Sequence, residues 1–398
     1  MKRKIGLLLL LGSALLAACN LQPAGGTPAS PPPTPTSQIL SILSATATDE
    51  PCIPSGSQME INAALSGPGS EAVLCPGAVF ALTAPVRFSA ADQKIYTQGL
   101  PTDDRRATLR LASPTVTTAV LMRDFDDVLL ANVIVNGDRP TLGPRSGDAL
   151  IFAGGASSGQ TVRFVKAMEP RSWSALHLIE GSSSQPCRNA LIEYNEIGPS
   201  GTSDNAWADG ISLACTNTTV RNNVIVDATD GGIVVFGAPG SLIESNTIRA
   251  ETRILLGGIN LVDYAPYAGN YTGTIVRDNL IDAHGAVIRI GLGMGVFVWG
   301  CQPDETKTLS GATVTGNALR GERMQYGFAV DGVRDWTVTG NVDAAVHSGV
   351  PSQNCAGVVA SPPAGFQFNP LRAQGTFQPE FQAARLDLAL WAILAPQP

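Results

Sequence analysis

Apolar and polar residues alternate along the middle of the chain in two short patterns that follow one another repeatedly. The first is a small residue followed by two apolar residues with one residue between them, as in residues 210–213 and 232–235. The second is an apolar residue three positions before an asparagine, as in residues 220–223 and 243–246. A period of two with many β-branched residues predicts strands. The patterns therefore predict an all-β chain built from repeated units.

The repeats recur at a spacing that is typical of a solenoid. Asparagines at Asn195, Asn223, Asn246, Asn279, Asn317 and Asn341 lie 28, 23, 33, 38 and 24 residues apart. Units of this length stack as coils of parallel strands. We expect the asparagines, with Asn132 before them, to form a hydrogen-bonded ladder at one corner. The small residues that begin one strand of each coil are predicted at Ala149, Ala175, Gly210, Gly232, Gly258, Gly295 and Gly327.

Helical patterns flank the repeats. Ser57 and Glu60 form a capping box that predicts a short helix through Leu65, placed to cover the first coil. Apolar residues at helical spacing between 377 and 394 predict a C-terminal helix that starts near Pro379 and Glu380. The predicted segments are a signal at 1–18, a tether at 19–48, a β-helix domain at 49–375, and a C-terminal capping helix and tail at 376–398.

The two patterns together resemble the right-handed parallel β-helix of the pectin-lyase-like superfamily, over roughly residues 55 to 360. That superfamily includes pectate and pectin lyases, polygalacturonases, alginate-processing enzymes and phage tailspikes. The resemblance implies a solenoid with capped ends. It leaves the activity open, because one fold carries many functions.

The N-terminus has a basic start, an apolar run from Ile5 to Ala18, and small residues before Cys19. This segment resembles a bacterial lipoprotein signal with its lipobox, which implies cleavage before Cys19 and acylation of that thiol. We expect an exported protein that is lipid-anchored at the bacterial cell envelope or surface. A plain secretory peptide is the alternative. The Pro-, Thr- and Ser-rich residues that follow predict an extended tether.

Six cysteines remain beyond the signal, and an even number in an exported chain indicates disulfides. Cys187 and Cys215 each precede a repeat asparagine by eight residues, so they occupy equivalent positions on successive coils. Stacked strands lie ~4.8 Å apart, within reach of a disulfide. We predict that these two are bonded. The other bonds, assigned by elimination and proximity, would be Cys52–Cys75 and Cys301–Cys355.

Charge and cysteine spacing exclude two classes of partner. The formal net charge of −7 makes a nucleic-acid partner unexpected. No pair of cysteines has the C-x-x-C spacing of a zinc site. A monomer is expected.

Loop lengths predict a groove along the sheet whose strands begin at the small residues. Long loops flank those strands in the outer coils and short loops in the middle ones, and solenoid insertions collect around the binding surface. The floor of this groove would be residues 209–236. A polysaccharide is the partner that such a groove suggests.

Aromatic and polar residues beside the groove are candidates for substrate binding. Trp207, Tyr264 and Tyr267 suit stacking on sugar rings, with Asn260 and Asp263 as polar contacts. Packing of the loops is the alternative interpretation of the tyrosines.

Asp209 and Asp230 each precede a strand and are expected to stack on adjacent coils. Two carboxylates there would share a proton, which raises a pKa, or bridge Ca²⁺. Capping of turns is the alternative. Strict alternation gives Asp209 the same side as Ile211, so it reaches the groove only if the strand bends. Both aspartates resemble those of the Asn-Thr-Asp-Gly and Asp-Asp motifs of polygalacturonases, although Thr229 replaces the other aspartate and no histidine follows near Gly258.

His177 and Arg289 complete the predicted site. His177 is the middle residue of a Leu-His-Leu strand and should face the groove, and Arg289 is predicted in the long loop before Val296. The resemblance to β-helical lyases implies an arginine base with carboxylate-bound Ca²⁺. The sequence thus predicts a lyase or glycoside hydrolase acting on a polysaccharide, a polyuronate among the candidates. The alternative is a non-catalytic glycan-binding or structural surface protein.

Overall fold

The computed structural model describes residues 51–202, 206–299, 306–348 and 365–381. Within these ranges the chain forms two short helices and 32 strands, which lie in three stacked sheets that we name A, B and C. Successive coils pair in parallel, one strand to each sheet. The helices are α1 (Gln58–Ala64) and α2 (Arg139–Leu142).

The strand bounds follow the coils. Sheet A contains β1 (Glu71–Leu74), β4 (Lys94–Thr97), β7 (Leu129–Ala131), β10 (Thr161–Arg163), β13 (Leu191–Glu193), β16 (Thr219–Arg221), β19 (Leu242–Glu244), β22 (Ile275–Arg277), β25 (Leu309–Ser310), β26 (Thr313–Thr315), β29 (Val333–Thr339) and β32 (Ala373–Phe377). Sheet B contains β2 (Val79–Leu82), β5 (Ala107–Leu111), β8 (Val133–Asn136), β11 (Lys166–Met168), β14 (Glu196–Ile197), β17 (Val224–Val226), β20 (Thr247–Arg249), β23 (Leu280–Ala283), β27 (Ala318–Gly321) and β30 (Val342–Asp343). Sheet C contains β3 (Val86–Arg87), β6 (Val120–Leu121), β9 (Ile151–Gly154), β12 (Ser174–Ile179), β15 (Asp209–Leu213), β18 (Gly231–Val235), β21 (Leu255–Leu261), β24 (Ile288–Met294), β28 (Met324–Val330) and β31 (Phe366–Phe368).

The asparagine ladder lies at the corner between sheets A and B, as predicted. From Asn195 to Asn341 each side-chain amide donates to the side-chain oxygen of the next asparagine at 2.8–2.9 Å. Gln378 accepts from the last one at 3.1 Å, a member that the pattern did not reveal. The assignment of Asn132 was wrong. It has a positive φ of 50° at the corner, and its amide donates instead to Leu100 and Pro101.

Glycine is required at the start of β15 and β18 in sheet C because the core leaves no space there. A Cβ on Gly210 would lie 2.8 Å from Ile225 Cγ2, and one on Gly232 would lie 2.7 Å from Ile248 Cγ2. Both positions therefore point inward, and so does the next residue, such as the fully buried Ile211. Two successive inward positions interrupt the alternation. The residue before the glycine consequently faces outward.

Two predicted strand positions were wrong. The glycine-rich segment before residue 295 forms β24, so the small residue of that coil is Gly291 rather than Gly295, and Arg289 lies on the strand and not in a loop. In β9 the register places Leu150, not Ala149, opposite Ala175. In both segments the sequence fits the repeat pattern in more than one alignment.

The helix at the N-terminal end is confirmed, with the Ser57 and Glu60 capping box in place. The disulfides Cys187–Cys215 and Cys52–Cys75 are also confirmed, with Cα separations of 4.8 and 4.9 Å. Phe377 ends β32, and the described residues 379–381 are helical, which is where the predicted C-terminal helix starts.

Several predictions lie outside the described residues. They are the signal and tether before residue 51, with Cys19, the Cys301–Cys355 bond, and the chain after residue 381. Among the residues that are described, no helix has the length and apolar character needed to cross a membrane.

Candidate functional site

The outer face of sheet C between β12 and β24 carries two rows of side chains. The row at the strand starts contains Ser174, Asp209, Gly231, Gly257 and Ile290. The second row contains His177, Ser212, Val234, Asn260 and Gly293. The inward glycine bend puts the first row outside, so Asp209 does reach the face where a groove was predicted.

Asp209 is held by hydrogen bonds within its own coil and to the next one. Its Oδ2 accepts from Ser212 Oγ at 2.8 Å, and its Oδ1 accepts from the Gly231 amide at 2.9 Å. Ser212 Oγ also lies 2.8 Å from Ser174 Oγ. The side chain of Asp209 is buried, with the residue 5% exposed. A Cβ at Gly231 would lie 3.2 Å from Asp209 Oδ1 and 2.2 Å from Val234 Cγ2, so this position is glycine.

Three carboxyl groups interact electrostatically on this face. Burial raises the pKa of Asp209 well above its ordinary value, and the charge of Asp230 raises it further, as to a lesser degree does that of Asp263, while the bonds from Ser212 and Gly231 act in the opposite direction. Burial also raises the pKa of Asp230. The pKa of Asp263 rises to about 6 through burial and the charge of Asp230. Such groups are typical of functional sites.

The register corrects the predicted stacking of the two aspartates. Ile211 pairs with Ile233, so Asp209 lies opposite Gly231 and Asp230 is offset by one residue. With strands ~4.8 Å apart and a rise of ~3.3 Å per residue, their Cα atoms are about 6 Å apart. Arg289 has the same register position as Asp230, two coils further along, and is exposed.

The loop before Asp209 is fastened by two arginines. Arg139 donates to the carbonyl of Ala206 at 2.6 Å, and Arg253 donates to the carbonyl of Gly201. These bonds fix the backbone on both sides of the undescribed residues 203–205. Trp207 follows this loop and is half-buried.

His177 lies one coil before Ser212 and is surrounded by aromatic rings. It stacks on Phe152 at 5.6 Å, meets the edge of Trp173 at 4.7 Å, and lies 6.4 Å from Phe236. Burial, together with the charge of Arg123, lowers the pKa of His177 to about 4. The ring is therefore neutral at neutral pH.

Hydrogen bonds and ring contacts fasten the loop that carries the predicted tyrosines. Tyr267 donates from its hydroxyl to the carbonyl of Ala214 at 2.6 Å, and burial and the charge of Glu180 raise its pKa to about 12. Lys307 Nζ lies 5.6 Å from the Tyr264 ring centroid. Packing is thus a sufficient explanation for both side chains.

Asn260 and Trp299 close the C-terminal side of the face. Trp299 Nε1 donates to Asn260 Oδ1 at 3.0 Å, and Trp299 packs with Val298 against Ile290 and Tyr326. Sequence reasoning missed Trp299 because the strand before it was placed out of phase. It also missed Ser174, and although alternation places Ser212 on the groove side in line with His177 and Asn260, it gave Ser212 no role.

The side chains on this face offer few oxygen ligands for a metal ion. The described part of the chain contains no group of three or more His, Cys, Asp or Glu side chains that could hold a metal ion. Ca²⁺ takes six to eight oxygen ligands, and Asp209 already accepts two hydrogen bonds. A bridging Ca²⁺ between Asp209 and Asp230 stays a prediction.

Comparison with known proteins supports the architecture. A family model described as right handed beta helix region matches residues 158–343. Over these residues the chain is similar to that family, and its fold is the right-handed parallel β-helix that the sequence predicts. A search of curated proteins gave no match to this β-helix protein.

Solved structures with a similar fold come from several organisms. The surface protein and adhesin PfbA of Streptococcus pneumoniae is 11% identical, with a TM-score of 0.49, covering 74% of this chain and 94% of its own. The A-module of the mannuronan C-5 epimerase AlgE6 of Azotobacter vinelandii is 14% identical, with a TM-score of 0.47, covering 81% and 93%. The endo-xylogalacturonan hydrolase of Aspergillus tubingensis is 10% identical, with a TM-score of 0.37, covering 75% and 92%. At these identities the likeness to this β-helix protein concerns the fold alone.

Proposed function

We propose that this β-helix protein is a glycoside hydrolase that cleaves a neutral polysaccharide along the outer face of sheet C. The observation that carries the proposal is the interacting carboxyl pair Asp209 and Asp230, in which the more deeply buried member has its pKa raised well above the ordinary value. Carboxyl groups whose environments separate their pKa values divide into an acid and a base.

The roles follow from burial. Asp209, protonated, donates its proton to the glycosidic oxygen as the bond from that oxygen to the anomeric carbon breaks. Asp230, ionised, removes a proton from the water that attacks the anomeric carbon. One bond is hydrolysed and one water is consumed. Inverting enzymes separate these groups by ~6.5–9.5 Å and retaining enzymes by ~5–5.5 Å, so the product anomer reports the separation during catalysis.

The charge of the face favours a neutral substrate. The charge of Asp230 already raises the pKa of both Asp209 and Asp263, and a uronate carboxylate would add a fourth acidic group. Arg289 is the cation at a register position near them, and it is exposed. A polyuronate lyase would require Ca²⁺ to neutralise these groups, with Arg289 as the base.

The location of the protein at the cell envelope is part of the same proposal. The lipobox at Cys19 would anchor the protein on the envelope, and the tether of residues 19–48 would hold the β-helix away from the membrane. A polymer too large to enter the cell is the substrate that such a position suits.

Product analysis on a polysaccharide panel tests the proposal. The purified protein is incubated with neutral glucans, xylan, mannan and galactan, and with polygalacturonate and alginate, each with Ca²⁺ or a chelator. We expect new reducing ends without unsaturation from a neutral polymer, independent of Ca²⁺. Asp209→Asn and Asp230→Asn should each lower turnover about 10²–10⁴-fold. Asp278→Asn, at an exposed corner remote from sheet C, is the matched control.

Two other outcomes would contradict the proposed reaction or the roles of the two aspartates. Unsaturated products that require Ca²⁺ would identify a lyase. Full turnover by both aspartate variants would show that the pair has no catalytic role.

A second candidate is a non-catalytic glycan-binding surface protein. Thr229, which stands where polygalacturonases have another aspartate, accepts from the Ala208 amide at 3.0 Å and donates to the Ser200 carbonyl at 2.9 Å. It therefore joins coils rather than serving chemistry. Binding of a polysaccharide without any product would favour this candidate.

A further inference from the structure

The aromatic cluster around His177 has no role in the proposed acid and base steps. It consists of Phe152, Trp173, His177 and Phe236, which come from β9, β12 and the residues that flank β12 and β18. Phe152 and His177 are directly paired across neighbouring strands. Trp173 is 38% exposed and offers an open aromatic surface beside them.

The His177 ring is oriented so that one nitrogen lacks a partner. His177 is 8% exposed, and its Nδ1 is buried without a hydrogen-bond partner among the described residues. An unpaired buried N–H is rarer in proteins than an unpaired acceptor, so a neutral ring places its proton on Nε2. Nε2–H is then a fixed donor between aromatic rings.

Nearby charges narrow the chemical class of a ligand. The Arg123 guanidinium lies 5.3 Å from the Phe152 ring centroid and would repel a cation. Arg123 is paired with Asp124 at 3.5 Å, which weakens its attraction for an anion. The next strand contributes Ser212, which donates to Asp209. A neutral ring with hydroxyl groups satisfies these conditions, because its C–H face stacks on an aromatic ring and its hydroxyl accepts from Nε2–H.

We propose that the cluster of Phe152, Trp173, His177 and Phe236 is a subsite for one neutral sugar ring of a glycan, one coil before the Asp209 carboxyl. The inference deepens the proposed function and rests on it for the continuity of the glycan between the two places. Trp173 supplies the stacking surface and His177 the donor.

Calorimetric titration of Asp209→Asn protein, which should not cleave its ligand, tests the subsite. The probes are cellohexaose, xylohexaose, mannohexaose and a galacturonate hexamer. We expect one of the neutral hexamers to bind. Adding Trp173→Ala should weaken its Kd at least 10-fold. Adding His177→Phe, which keeps a ring on Phe152 but lacks the donor, should weaken it about 3–10-fold.

Tyr194→Ala is the matched control, since Tyr194 is an exposed aromatic that stacks on Phe164 at 5.2 Å at another corner. Circular dichroism and thermal unfolding check that every variant is folded. Preference for the galacturonate hexamer, no binding of any neutral hexamer, or equal Kd values for the Trp173 and Tyr194 variants would overturn the subsite. If Trp173→Ala abolishes binding but the native protein hydrolyses nothing, the subsite stands and the hydrolase proposal fails. If hydrolysis occurs and Trp173→Ala binds normally, the hydrolase proposal stands and the subsite proposal fails.

Discussion

The outer faces of sheets A and C arrange their charges in opposite ways on the same coils. On sheet A, the strand-end row Arg163, Glu193, Arg221, Glu244 and Arg277 alternates in sign from coil to coil. On sheet C, Asp209, Asp230 and Asp263 interact with one another instead. Since strand spacing is the same in both sheets, the difference lies in the side chains.

The sheet A row stabilises the stack through opposite charges. Glu193 is 3% exposed and lies 2.8 Å from Arg221 and 3.5 Å from Arg163, and Glu244 lies 2.6 Å from Arg277. The sheet C face gives up stability, because burial and the charges of Asp230 and Asp263 raise the pKa of Asp209. Local arrangements that oppose stability are where function is expected.

The largest difference between the faces should appear in turnover. Asp209→Asn should lower turnover on the neutral substrate about 10²–10⁴-fold, whereas Glu193→Gln should leave it within about two-fold, because Glu193 lies on another face. Initial rates at equal folded concentration measure this. Similar losses for both variants would mean that the effect on turnover comes from the fold.

The free energy of unfolding, unlike turnover, should depend on the sheet A residue Glu193. Glu193→Gln should lower the free energy of unfolding by about 2–3 kcal/mol at pH 7, because it removes a buried charge that is bonded to Arg221 and close to Arg163. Denaturant unfolding measures the change. A gain in stability would remove the contrast between the faces.

Asp263→Asn should stabilise the protein at pH 8. The pKa of Asp263 is about 6 against an ordinary value of 3.8, so the folded state holds its proton longer than the unfolded state. The free energy of unfolding therefore falls between pH 4 and pH 6, and Asn avoids that loss. We expect a gain of about 1–2 kcal/mol at pH 8 and little gain at pH 4. An equal gain at both pH values would point to a cause other than charge.

The smallest effect is expected at the solvated end of the sheet A row. Arg277→Ala should lower the free energy of unfolding only slightly, because the Arg277 side chain is 46% exposed. The cost should diminish in high salt, which screens exposed pairs. Denaturation with and without 1 M NaCl checks this, and a larger salt-independent cost would show that packing of the arginine stem matters more than its charge.

Much of the fold could be predicted because it depends on repeated local signals. The asparagines from Asn195 to Asn341 and the equivalent cysteines Cys187 and Cys215 mark the same positions on each coil, so spacing alone aligned them. The predicted start of the strand was wrong where several glycines lie close together, as near Gly291 and Gly295. A small residue at either position fits the repeat pattern.

The candidate site was only partly predictable. Asp209 and Asp230 could be found from their place before strands, but the direction of the Asp209 side chain depends on the inward turn of Gly210, which alternation cannot show. Trp173 could not be linked to His177, because their contact depends on how the rings pack. The Tyr267 bond to a carbonyl two coils away is likewise a tertiary contact with no sequence signature.

Infrared spectroscopy of the carboxyl groups tests most directly whether the Asp209 carboxyl group on sheet C stays protonated. The spectrum is recorded over a pH series for the native protein, Asp209→Asn and Glu193→Gln. We expect a protonated-carboxyl band that persists where ordinary aspartates, with pKa values of ~4, are fully ionised. It should weaken in Asp209→Asn and remain in Glu193→Gln. A band that disappears together with the ordinary carboxyl groups would contradict the assignment of Asp209 as the acid.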